Sequence, residues 1–301
     1  MNMKPYNPVS LLLAGLFALL PVLAGADTLE RVRMSNTFNL GYLPDLVPFS
    51  GEEGGKVSGY GIDLCLKIAD RVQKELGLTD MRVNYQAVSA DTAVGAVRAG
   101  EIDILCTPTP ETLERRKSVS YSRPVYTAGL SVAVREDAAP ALVRVLSGEA
   151  VHTGPTWRAT INQGLANHTY ATIEGGITED MIRDRMRKLG VIATLVTVAS
   201  HEQGLQLVAE RKADAFFGER MLLQSGLRKG AYAEQMRVLD TIFAFAPVAM
   251  AVERGDEDFR LLVDTVISEL YRSGGIEQLH KQYLGDLREG ARQLFSVYAL
   301  P

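Results

Sequence analysis

Arg115 follows a short apolar run, residues 102–105, and the stretch Thr107, Pro108, Thr109, Pro110. If that run is a strand of a parallel sheet, the guanidinium stands just past its carboxyl end, where ligands of open α/β sheets bind. The planar fork of arginine matches both oxygens of a carboxylate. The competing reading is a solvated helix arginine, as expected for Arg116 and Lys117 beside it. Glu219 follows a second apolar run, residues 213–217, and either faces a ligand or caps the next helix, whose dipole favours a carboxylate at its start. Gly175, Gly176, Ile177 and Thr178 precede a helical pattern. Backbone N–H groups at a helix N-terminus bind anions without help from side chains; alternatively Thr178 is a plain cap. The Pro108 and Thr109 carbonyls could accept from an ammonium.

Other chemistry is not signalled. The chain has no GxSxG, HExxH or phosphate-loop pattern. His152, His168, His201 and His280 show no metal-ligand spacing, and no cofactor or metal is expected. Cys65 lies on a helix with an apolar stripe of Ile62, Cys65, Ala69, Val72 and Leu76, and Cys106 ends the strand this helix should cover. In an oxidising compartment the pair is a disulfide candidate. Two buried free thiols are the alternative.

These groups need elements to hold them. Strand and helix patterns alternate along the chain, which argues for α/β architecture with parallel sheets. Strands are expected at 31–37, 57–60, 82–88, 102–105, 130–135, 169–173, 193–198, 213–217, 238–240 and 247–252. Helices are expected at 62–76, 92–99, 178–188, 202–211, 220–227, 256–272, 276–283 and 286–294. No Gly/Pro/Ser linker separates two halves. Two extended crossings, near residues 124–129 and 242–248, look like a double hinge instead. Residues 150–168 form a long segment without a clear pattern, either a surface loop, or a lid or docking surface for a partner.

The N-terminus reads as a cleaved secretory signal over residues 1–26: Lys4, an apolar run at 11–20, then Ala24-Gly25-Ala26. The run is shorter than the roughly 20 residues a membrane span needs. The formal net charge is −4 and the basic residues are dispersed, so nucleic acid is not an expected partner.

Several segments together resemble the family-3 periplasmic solute-binding proteins of bacterial ABC transporters, of the polar amino-acid-binding type. The pattern G-x-[IV]-D…T-x-E-R…[FY]-S-x-P appears as Gly100, Ile102, Asp103, then Thr112, Glu114, Arg115, then Tyr121, Ser122, Pro124. Residues 57–65, VSGYGIDLC, resemble the family's helix entry. Residues 213–217, ADAFF, resemble its second-lobe strand, and residues 274–283 its closing helix. The resemblance implies a two-lobed type II binding-protein fold, with two sheets of mainly parallel strands joined by a two-stranded hinge. Lobe 1 would hold 27–125 and 247–301, with lobe 2 inserted at 130–243. It implies a monomer that captures an amino acid or related small carboxylate in the periplasm and presents it to an ABC permease.

By that resemblance Arg115 holds the ligand carboxylate, Glu219 stands where an aspartate usually takes the ammonium, and Gly175, Gly176 and Thr178 match a turn rich in threonine. Phe49, in a Pro-Phe pair, matches the cleft edge, and Thr109 belongs to the loop before the arginine. This chain departs in three places. Pro110 replaces a hydroxyl residue and offers neither hydroxyl nor N–H. Gly176 lacks the first threonine hydroxyl. Leu43 and Ala93 stand near the places where binders of acidic amino acids carry arginines, so an acidic ligand is not implied. Two further readings follow: a degenerate binding fold acting through a protein partner, and a dehydratase on a cyclic carboxylated substrate with Glu219 as general acid.

Overall fold

The computed structural model describes residues 27–149, 164–230, 232–287 and 289–301. The signal-peptide expectation and most of the 150–168 segment, with His152 and Trp157, lie outside the described residues.

The chain begins with α1 (Thr28–Ser35), then β1 (Thr37–Tyr42) and a small meander of β2 (Asp45–Leu46), β3 (Ser50–Glu53) and β4 (Lys56–Ser58). Next come α2 (Tyr60–Glu75), β5 (Arg82–Ala87), α3 (Ala93–Arg98), β6 (Ile104–Pro110) and β7 (Val119–Tyr121). The first crossing is β8 (Tyr126–Arg135). Beyond it lie α4 (Pro140–Leu146), β9 (Thr169–Ile173), α5 (Ile177–Leu189), β10 (Thr194–Val198), α6 (His201–Ala209), β11 (Ala215–Glu219), α7 (Arg220–Lys229) and β12 (Met236–Val238). The chain returns through β13 (Ala244–Glu253) and closes with α8 (Glu257–Ser273), α9 (Gly275–Leu284) and α10 (Glu289–Tyr298).

One continuous ladder runs β10-β9-β11-β8-β13-β6-β1-β5, and β2-β3-β4 form a separate small sheet. The ladder has two matching halves. In the first, β1 is parallel to β5 and β6. In the second, β9 is parallel to β10 and β11. Each half ends on an antiparallel crossing strand, β13 beside β6 and β8 beside β11. The crossings pair with each other only over Tyr126–Leu130 and Ala244–Val248.

Each half has its own core. Around the first sheet pack α2, α8 and α9, with Phe38, Leu40, Ile62, Ile68, Phe259 and Ile276 fully or almost fully buried. The second half gathers Phe216, Leu205, Val208 and Leu223 on one face of its sheet, and Tyr170, Ile182 and Phe217 on the other. Helix α2 approaches the first sheet closely because position 61 is glycine. A Cβ there would lie 1.9 Å from the Cys106 carbonyl oxygen. One helical turn further on, Cys65 is joined to Cys106 by a disulfide, with Cα atoms 5.8 Å apart.

Two expectations need correction. Residues 31–35 are helical, not the start of a strand. Asp27 caps that helix by accepting from the Glu30 N–H at 2.8 Å, and Val32 is buried beneath it. The alternating pattern that makes the strand begins at Thr37. The stretch Thr107–Pro110 is strand, not loop: β6 continues to Pro110, with Thr109 opposite Ala249 and Pro110 opposite Val248. A register shift between Ala249 and Ala251 accommodates it, and prolines are tolerated at such irregularities.

Candidate functional site

The ladder registers show where a ligand site would lie. Strand β6 meets the crossing at its carboxyl end, since Pro110 pairs with Val248 and Ile104 with Val252. Strand β11 does the same from the other side, since Glu219 pairs with Leu130 and Ala215 with Val134. The carboxyl ends of the two parallel sets converge on the crossing, the place where open α/β sheets bind ligands.

Arg115 begins a short 3-10 turn, Arg115–Lys117, just past β6. Its N–H donates to the Thr112 hydroxyl at 3.2 Å, which fixes the turn. Its Nη1 donates to the Pro110 carbonyl at 3.0 Å. Among the described residues this is the side chain's one hydrogen bond, so the remaining guanidinium N–H groups stay available to a carboxylate. Arg116 and Lys117 are exposed and paired with Glu111 and Glu114.

Glu219 ends β11 and caps α7, with Oε2 accepting from the Leu222 N–H at 2.8 Å. Its Oε1 accepts from the Tyr126 hydroxyl at 3.2 Å. Burial pushes its carboxyl up to about 7, against the opposing pull of hydrogen bonds from the Leu222, Met221 and Gly129 backbones and from Tyr126. The helix-cap reading is therefore observed, and the same side chain sits at the convergence of the two halves, beside Tyr126 of the first crossing.

Gly175 has φ +65°, and its N–H donates to Glu179 at 2.8 Å. That contact, with the Arg183 side chain, holds the Glu179 carboxyl below its ordinary range. Gly176 is the N-cap of α5 and makes no side-chain cap bond, while Thr178 is buried inside the first turn. The turn is thus capped by the chain's own carboxylate, and Thr178 is not the capping residue.

Phe49 is 5 % exposed and packs against Tyr126, with ring centroids 5.1 Å apart. Thr107 is part of the fold: it is buried, its hydroxyl accepts from the Leu43 N–H at 2.8 Å and lies 2.6 Å from the Ser50 hydroxyl. The structure thus brings Phe49, Tyr126, Glu219 and the end of β6 to one place. The turn at Gly175 and Gly176 lies at the same sheet edge, because β9 and β11 run in parallel register, with Thr172 opposite Phe217.

Two residues at this place carry no sequence signal of their own. Tyr126 sits at the end of an apolar run, and its partners lie 93 residues away at Glu219 and far back at Phe49. His280 stacks at 6.1 Å on Tyr126, and burial holds its imidazole below the ordinary value. Of the other histidines, His201 is pushed down to about 4 by burial, packing against Phe216, and His168 pairs with Asp214. Among the described residues, no group of three or more His, Cys, Asp or Glu side chains could hold a metal ion.

Residues 38–286 match the model of the bacterial extracellular solute-binding proteins, family 3. The chain belongs to that family. It is 28 % identical over 267 residues to an L-glutamate/L-aspartate-binding protein of Pseudomonas aeruginosa, covering 87 % of this chain and 82 % of that one. A glutamate/aspartate import solute-binding protein of Salmonella typhimurium is 20 % identical over 259 residues, 85 % of this chain and 78 % of that one. Among solved structures, an ancestral amino-acid-binding protein, a precursor of cyclohexadienyl dehydratase, superposes with a TM-score of 0.68 at 22 % identity, over 86 % of this chain and 99 % of that one. An arginine-binding protein variant from T. maritima gives 0.66 at 19 % identity, over 86 % and 100 %. These structures share the two-lobed α/β fold. The protein is a solute-binding protein of the amino-acid-binding type found in ABC importers.

Proposed function

We propose that this protein captures an amino acid or a closely related small carboxylate between its two halves and delivers it, in the periplasm, to the membrane permease of an ABC importer. The lobes are 27–125 with 247–301, and 130–243, and the crossings at Tyr126–Leu130 and Ala244–Val248 act as the hinge. The observation that carries the reading is Arg115, placed past the carboxyl end of β6 with most of its guanidinium N–H groups uncommitted. Glu219 answers it from the other half. Backbone donors near Gly175 join once the Glu179 carboxylate yields one of them. Leu43 and Ala93 are buried and apolar, so the acidic ligands named for two of the relatives are not carried over to this chain.

The test is a thermal-shift screen of the exported chain against amino acids, opines and small carboxylates, with Arg115→Ala in parallel. A ligand present at a hundred times its Kd stabilises the folded state by about 2.7 kcal/mol. A shift that disappears in Arg115→Ala supports the reading. No shift with any compound, in a folded sample, overturns it.

One observation favours a second reading. A carboxyl held near pH 7 and hydrogen-bonded to a tyrosine is poised for general acid work. Elimination of water from a cyclic carboxylated substrate, lost in Glu219→Gln, would establish a dehydratase; binding without turnover would exclude it.

A further inference from the structure

The family match ends at residue 286, but the chain continues through α10 to Pro301. That last segment packs onto the first crossing. Arg123 lies three residues before β8. Its Nε donates to the Tyr298 carbonyl at 3.0 Å, and its Nη2 to the Val297 carbonyl at 3.3 Å. These are end carbonyls of α10, which have no partner within the helix, and a cation there also meets the negative end of the helix dipole. The Tyr298 hydroxyl lies 3.0 Å from the Thr127 hydroxyl, inside the crossing itself. Phe295 stacks at 5.0 Å on Tyr271, whose hydroxyl donates to the Pro124 carbonyl at 2.7 Å. Phe295 also backs His280 at 6.2 Å, and His280 backs Tyr126. The segment is anchored to the first half by Arg292 with Glu277 at 2.7 Å and by the Leu300 N–H on the Ser268 hydroxyl at 3.2 Å.

The first half holds the crossing in other ways as well. The Arg123 N–H donates to Asp264 at 2.6 Å, and the Tyr60 hydroxyl to the Val125 carbonyl at 2.5 Å. Those hydrogen bonds stop at Val125, and Phe49 and His280 hold the ring of Tyr126. The contact to Thr127 and the packing behind Tyr126 carry the hold two residues further, toward Gly129. A hinge bends at the few residues its neighbours leave free.

We propose that the C-terminal segment, residues 289–301, braces the hinge: it moves the pivot to Ala128 and Gly129 and, through His280 and Tyr126, positions Glu219 at the ligand site. Tyr126 is a positioning residue, since its hydroxyl reaches Glu219 while its ring is clasped by Phe49 and His280. The brace narrows the range of openings available without ligand, so the second half meets the first in a restricted set of orientations.

The test needs no ligand, so its failure is separate from failure of the binding reading. Spin labels at Lys67→Cys on α2 and Arg187→Cys on α5 report the distance between the halves. Backbone hydrogen exchange at Thr127–Gly129 reports the pivot. Three backgrounds are compared with the full chain: Thr127→Val, Arg123→Gln, and a chain ending at Asp286. The expected result is a broader, displaced distance distribution in each, with exchange at Thr127–Gly129 faster by about tenfold or more. If the shortened chain does not fold, the two point variants decide. A lower melting temperature with unchanged distances and unchanged exchange would show a merely structural role and overturn the proposal.

Discussion

Two turns of this protein are built alike, one in each half. Residues 96–103 lead from α3 into β6, and residues 207–214 lead from α6 into β11. In the first, Gly100 adopts φ +68° and the Glu101 N–H donates back to the Ala96 carbonyl at 3.0 Å. In the second, Arg211 adopts φ +61° and the Lys212 N–H donates to Leu207 at 2.8 Å. Each turn delivers an aspartate to the neighbouring strand. Asp103 donates its N–H to Asn39 at 2.9 Å and accepts the Asn39 N–H at 2.8 Å. Asp214 does the same with Thr169 at 2.7 and 2.8 Å. The aspartates of the two sequence motifs therefore set strand register; neither is among the residues gathered at the crossing. The difference lies in how firmly each turn is held. Asp103 is buried, takes a second bond from the Asn39 side chain and an ion pair from Arg31, and lies beside the strand that carries the disulfide. Asp214 is half exposed, with the His168 ring 3.3 Å from its carboxylate. The first half is the stapled one.

Removing the staple should give the largest effect. The bridge closes a loop with a sequence separation of 41 residues. Chain entropy alone then assigns it about 4 kcal/mol. The double variant Cys65→Ser with Cys106→Ser should lose about that much in urea unfolding, and slow hydrogen exchange in β6 should fall toward that of β11. A loss below about 1 kcal/mol would mean that the first half is held by packing and not by the bridge.

Glu219 should give the next effect, in the second half only. Its carboxyl is raised by burial from 4.5 to about 7. Between those values the folded protein keeps a proton that the unfolded chain has lost, so stability falls as pH rises through this window and levels off above it. The full decline is on the order of 3 kcal/mol. Glu219→Gln should flatten the pH profile between 4.5 and 7; an unchanged slope would assign it to other groups.

The paired aspartates sharpen the comparison directly. Asp103→Ala removes a buried acceptor and strands part-buried donors on Asn39, which should cost about 3 kcal/mol, whereas Asp214→Ala, half open to water, should cost about 1 kcal/mol. Equal losses in thermal or urea unfolding would show that the two turns are held equally and that burial is not what separates them.

These turns also explain how much could be read from sequence. The fold was legible because strand and helix patterns alternate along the chain, and because residues 100–103 and 213–217, which carry the two aspartates, resemble segments of a known family. Arg115 was legible as a cation past a strand end. Thr107–Pro110 was misread because its prolines signal a loop, and only the pairing with Val248 and Ala249 in β13, some 140 residues later, shows it to be strand. The α1 helix was missed because its apolar residues are few; its cap on Asp27 and the tie from the Thr28 N–H to Asp256 stabilise it. Tyr126 and His280 were invisible for the same reason. Their roles come from stacking across the chain, which no local spacing records.

The smallest effect concerns the left-handed residue itself. A side chain at φ near +60° strains an L-residue by about 1–2 kcal/mol, while glycine adopts it freely at the expense of a more disordered unfolded chain. The first half uses glycine, where an added Cβ would also come within 3.4 Å of the Arg31 guanidinium. The second uses arginine, whose side chain pairs with Asp137 at an exposed site, where water screens the attraction and side-chain entropy opposes it. Exchanging the two choices should therefore act in opposite directions. Gly100→Ala should destabilise by about 1 kcal/mol, and Arg211→Gly should stabilise by about 0.5 kcal/mol. Both shifts are measurable as changes in urea midpoint at constant slope. If Arg211→Gly destabilises instead, the Asp137 pair outweighs the backbone strain, and the second turn is held by its surface charges where the first is held by its buried aspartate.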